Sequence, residues 1–70
     1  MNADLWIHGR SCRIILKDWN GNYCDHNDYW NNRGSAESFV MGSYPECEIR
    51  FVTDAAEKVR LNAEWDLLPI

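Results

Sequence analysis

His8, Cys12, Cys24 and His26 are the side chains of this 70-residue chain with the chemistry of zinc ligands. They form an H-x3-C pair and a C-x-H pair. Tetrahedral zinc takes four nitrogen or sulfur ligands, usually from C-x2-4-C or H-x3-5-H units. The first pair has about that spacing, whereas the second would diverge along an alternating strand. Convergence of the two then depends on the order of strands in the sheet. These four residues are the metal alternative, and the principal expectation is a chain without metal or other cofactor, its thiols free and buried or half-buried. Asp25, His26 and Asp28 form a second cluster of donors, without the acidic spacing and glycine of an EF-hand loop.

Cys24 and His26 also invite a nucleophile–base reading. Residues i and i+2 of a strand share a face, but nothing there orients a thiol toward an imidazole, and no third group is evident. No G-x-S-x-G, glycine-rich phosphate loop or H-E-x-x-H is present. The expectation is a protein without enzymatic activity.

Charge and aromatic residues are distributed unevenly. The chain carries −4. From Asp18 to Ile49 there are six acids (Asp18, Asp25, Asp28, Glu37, Glu46, Glu48) against Arg33 alone, so this segment carries −5. It also holds Trp19, Tyr23, Tyr29, Trp30 and Tyr44. Aromatic anchors are enriched in interface hot spots, and surrounding acidic charge steers association with a basic partner. Trp19, Tyr23, Asp25, Asp28, Tyr29 and Trp30 are therefore the candidate partner-binding residues, with Glu46 and Glu48 as flanking charges. Trp19 and Trp30 fit a cap on a small core equally well. An acidic balance argues against direct binding to nucleic acid or an anionic membrane, both of which need clustered Lys and Arg. Stacking residues are present without a basic groove beside them, although Arg10, Arg13, Lys17 and Arg33 could gather on one side as a small basic patch.

The elements that position these residues read as β-β-β-α-β-β. DLWIH (4–8) and CRIILKDW (12–19) are strands, and Ile15 interrupts the alternation of the second as in a central strand covered on both faces. Asn20-Gly21 favours a type I′ turn, with 22–25 pairing back as a third strand. HNDYWNNRG (26–34) has no period and reads as a loop. Ser35 caps a helix over 36–42, whose Ala36, Phe39 and Val40 form one apolar stripe, ended by Gly42 and Pro45. Residues 46–66 read as a β-hairpin: Cys47, Ile49 and Phe51, then Val59, Leu61, Ala63 and Trp65, alternate with polar residues. The apolar tail 67–70 folds back onto the core or joins an interface.

The expected fold is thus α+β: a small antiparallel sheet of about five strands with one short helix on one face. It forms a single domain over 1–70, a monomer or weak homodimer, with the far side of the sheet wet or free for docking. At this length only roughly 60% of the unfolded surface is buried, and the nine aromatics fill a thin core. Three cysteines do not make a disulfide framework, and no signal peptide is evident, so the expected compartment is the cytoplasm. In size, acidity and aromatic content the chain resembles the small inhibitors that phages make against host machinery, anti-CRISPR proteins among them. That resemblance implies an inhibitor that occludes a basic, nucleic-acid-handling surface of a host complex. The runners-up are a zinc-stabilised structural domain and a self-associating structural protein.

Overall fold

The computed structural model describes residues 1–69. They form β1 (Asn2–His8), β2 (Ser11–Lys17), β3 (Tyr23–Trp30), α1 (Arg33–Ser43), β4 (Glu48–Phe51) and α2 (Ala55–Trp65), a small α+β domain. The sheet order is β3-β2-β1-β4. β2 pairs antiparallel with both neighbours, while β4 runs parallel to β1, with Asn2 opposite Glu48 and Leu5 opposite Phe51. A parallel neighbour needs a crossover, and α1 supplies it by carrying the chain from the β3 edge to the β4 edge.

Period-two alternation in β1 and β2 sorts their side chains onto two dry faces. Ala3, Leu5, Cys12, Ile14 and Leu16 face α1, where Ala36 and Val40 close the layer with Phe39, Ile49 and Phe51 around them. Trp6, Ile15 and Val52 face the other way, beneath Leu61, Trp65 and Leu68. Ile15 is therefore covered as its break in the alternation predicts. The alternation of Ile49 and Phe51 in β4, with Cys47 just before it, is also as expected, all three lying against the first layer.

The second arm of the expected hairpin is instead α2. Asp54 caps it, its Oδ2 accepting from the Glu57 amide at 2.9 Å, and the helix-forming residues Ala, Glu, Lys, Arg and Leu dominate its turns. Leu61, Trp65 and Leu68 recur at i, i+4 and i+7, so the buried stripe is helical. The alternation of Val59, Leu61, Ala63 and Trp65 places Val59 and Ala63 in solvent. The sheet accordingly has four strands, close to the five expected, is mixed rather than wholly antiparallel, and carries a second helix on the face expected to be wet or free for docking. Burying an indole removes on the order of 200 Å² from water, and Trp6, wholly buried, is what α2 covers.

Polar contacts hold α2 across this layer. Asn62 Oδ1 accepts from Trp6 Nε1 at 2.7 Å and from Arg13 Nη1 at 3.0 Å. The Arg13 guanidinium lies 4.6 Å from the centroid of the Trp65 ring, which also meets the Trp6 and His26 rings edge-on. Lys17 pairs with Glu64, and Arg50 bridges Asp4 and Glu57. These half-exposed ion pairs are each worth at most about 1 kcal/mol, so the apolar layer decides the docking.

Three further expectations are corrected. Residues 26–30, expected within a loop, belong to β3, whose two bulges hide its period. Asp28 and Tyr29 oppose Arg13 alone, and Cys24 is an extra residue between the Leu16–Asp25 and Lys17–Tyr23 pairs. The turn before β3 is not type I′: only Gly21, at φ 85°, is positive. Asp18 closes the loop by accepting from Gly21 N and by donating to the Asn22 carbonyl, the pattern of a three-residue hairpin with a glycine bulge. The N-cap of α1 is Asn32 rather than Ser35; its Oδ1 accepts from Ser35 N at 2.8 Å. In the tail, Leu68 joins the second layer while Leu67 is 86% exposed; Ile70 lies outside the described residues.

Candidate functional site

Asp18 shapes the tip of the β2–β3 hairpin. Its Oδ1 accepts from the amides of Asn20 and Asn22, both at 2.9 Å. The bond from Asn22 is the largest of the interactions that hold this carboxyl below its ordinary value. The turn so fixed presents Trp19, 64% exposed. Across from it, the segment between α1 and β4 supplies Tyr44, Pro45, Glu46 and Cys47. With Met1, Asp18, Trp19 and Ser43 these residues line an open groove of about 580 Å³. Tyr44 is braced from behind by Phe39, ring centroids 6.4 Å apart. Burial raises its phenol above the ordinary value, and the Asp25 carboxylate adds to that rise.

β3 is the edge strand that runs away from this groove. Asp25 pairs with Leu16 and so lies on the α1 face, and its Oδ1 accepts from the His26 amide at 2.8 Å. That bond occupies one edge donor with a charged side chain, a common protection against strand addition. Tyr23 and His26 lie opposite Lys17 and Ile15 on the α2 face, with the phenol Oη 2.6 Å from Nδ1. Desolvation first, and then Asp25, raise the Tyr23 phenol. Asp28 and Tyr29 occupy the bulge, where Tyr29 is 80% exposed.

The candidate residues are thus divided. Trp19 and Glu46 meet at the groove, Asp25 adjoins it, and Glu48 opens β4 at the same end of the sheet. Tyr23 turns to the other face, and Asp28 and Tyr29 lie further along the edge. Trp30 packs on the first core layer with its ring 5.2 Å from Phe39, and its Nε1 is buried without a partner, like Asn27 Oδ1. Tyr44, counted among the aromatics of the segment but not among the candidate residues, is the aromatic wall of the groove that sequence reasoning did not single out. Its signal is the Tyr44-Pro45 pair ending α1 among acids, meaningful only once the topology sets this segment opposite Trp19.

The acids differ in their partners. Asp4, Glu37, Glu57 and Glu64 each contact a Lys or Arg, and Asp18 and Asp54 cap backbone amides. Among the described residues, Asp25, Asp28, Glu46, Glu48 and Asp66 have no cationic partner within the chain.

The metal and nucleophile alternatives lack the required geometry. His8 and Cys12 lie near the β1–β2 turn, Cys12 buried beneath α1, while Cys24 is near the opposite end of the sheet. Among the described residues no three His, Cys, Asp or Glu side chains converge as a metal site. Cys24 Sγ donates to the Asn22 carbonyl at 3.7 Å, and His26 is engaged by Tyr23 and Trp65. Among the described residues no helix is long and apolar enough to cross a membrane. Comparisons with known family models, curated sequences and solved structures each find no match.

Proposed function

We propose that this chain is a non-enzymatic protein-binding domain whose acidic, aromatic surface engages a basic surface of a partner protein, one that normally holds nucleic acid. The observation that carries the reading is the set of exposed carboxylates without internal cations: Asp25, Asp28, Glu46 and Glu48, placed beside exposed Trp19 and Tyr29. An unpaired surface carboxylate loses little hydration until a cation arrives, so its charge is available for steering and for pairing in a complex. Occlusion of a nucleic-acid site, the phage-type inhibitory mode, is the activity we assign. The protein acts as a monomer or weak homodimer in the cytoplasm, a compartment in keeping with three free cysteines, and without direct contact to nucleic acid or membrane.

The test compares the wild-type chain with a variant carrying Asp25→Asn, Asp28→Asn, Glu46→Gln and Glu48→Gln. Each is used as bait at about 50 mM and about 500 mM salt, where screening lengths differ severalfold. The expected result is a nucleic-acid-handling partner held by wild type at low salt, released by competing DNA or RNA, and lost from the neutralised variant. Equal capture by both baits would refute the proposal.

A further inference from the structure

The groove between Trp19 and Tyr44 has an electrostatic character that its lining alone does not reveal. Ser43 is the last residue of α1 and Tyr44 its C-cap, so the groove lies at the negative end of the helix dipole. The last turn of α1 contains no basic residue to offset it. Glu46 lines the groove and has no cationic partner, and Asp18 lines it with a carboxylate held ionised by backbone amides. Asp25 lies close enough to raise the Tyr44 phenol. Lys17, next to Asp18 in sequence, is taken up by Glu64 of α2, and the Met1 ammonium, which is felt by Cys47, makes no ion pair with a carboxylate among the described residues. The walls themselves are apolar or aromatic: Trp19, Tyr44, Pro45 and Met1.

We propose that this groove receives an arginine side chain from the basic partner, its guanidinium stacked on the Trp19 indole and paired with Glu46. The inference rests on the acidic-surface reading above and names the contact at its centre. A planar guanidinium can stack on an indole and pair bidentately with a carboxylate at once, while its methylene stem lies along apolar walls. A lysine ammonium matches the charge but not the plane. Trp19 is well placed for this role because Asp18 rigidifies its turn, so little ordering remains for the partner to impose.

The test uses three blocked Gly/Ser peptides that differ at one position: arginine, lysine, or neutral citrulline. Binding is followed through the indole and backbone amide resonances of the labelled full chain. The arginine peptide is expected to shift the Trp19 indole and the Tyr44 and Glu46 amides. Affinity should fall about threefold or more for lysine, and about fivefold or more in Trp19→Ala or Glu46→Gln. Binding of citrulline as tight as arginine, or shifts confined to other surfaces, would overturn the inference. So would lysine equal to arginine, since charge alone would then suffice. If the peptides fail here while the neutralised bait still loses its partner, the arginine contact falls and the acidic-surface reading stands. If wild-type and neutralised baits capture alike, both fall.

Discussion

Asn62→Ala should destabilise the domain by about 1–3 kcal/mol, and the figure comes from one oxygen atom. Asn62 Oδ1 accepts from Trp6 Nε1 at 2.7 Å and from Arg13 Nη1 at 3.0 Å. Trp6 is wholly buried, so removal of its acceptor leaves an indole N–H with no water to replace it, at a cost of about 1–3 kcal/mol. Arg13 is only half-buried and recovers hydration, so its bond adds about 1 kcal/mol or less. Alanine is the better helix former by roughly 0.5 kcal/mol, which offsets part of the loss. In a domain of this length the net change corresponds to a fall in Tm of roughly 5–20 °C. Asn62→Asp keeps the acceptor and adds charge toward Arg13, so it should remain within about 1 kcal/mol of wild type. Urea unfolding followed by tryptophan fluorescence measures both variants. Asn62→Ala within about 0.5 kcal/mol of wild type, or Asn62→Asp equally damaging, would show that α2 is not held on the sheet in this way. The functional consequence is direct: a face closed by α2 cannot be a docking surface, which leaves the edges and ends of the sheet to a partner.

Asp54→Ala removes the N-cap of α2 and should cost about 1 kcal/mol by denaturant unfolding; no effect would mean the cap is not formed in solution. Tyr29→Ala should leave Tm unchanged within a few degrees while weakening partner capture, whereas Trp30→Ala, which strips the core against Phe39, should cost about 2–4 kcal/mol. Thermal melts of the two single variants separate interface from core, and a collapse in Tyr29→Ala would place that ring in the core. Asp18 links the turn to pH. Because its folded-state value lies below the ordinary 3.8, the stability it adds is present above 3.8 and is lost as pH falls through the lower folded value. Asp18→Asn should therefore show a shallower acid limb of Tm against pH than wild type, and identical limbs would refute the assignment.

Where a segment's hydrophobic period had one interpretation, the sequence sufficed. β1, β2 and β4 lie where alternation places them, and Ile15 announced a strand covered on both sides, because side chains of a strand must alternate between faces. The helix over Ala36, Phe39 and Val40 was legible for the same reason, with its start displaced because Asn32 competes with Ser35 as a cap. Two segments carried two compatible periods or none. Leu61 and Trp65 fit a strand or a helix, and the choice fell to Asp54 capping and to the buried face of Trp6, which only α2 can cover. β3 was obscured by bulges at Cys24 and at Asp28–Tyr29, since an extra residue resets the alternation that would reveal a strand. Charge belongs to the sequence, so the acidic character of residues 18–49 was evident from composition. Which acids are left without a cation, and that Trp19 faces Tyr44 across a groove, are tertiary facts. They depend on Arg50, Lys17 and Arg33 finding other carboxylates, and on a parallel β4 that brings the α1–β4 segment to the same end of the sheet as the β2–β3 turn.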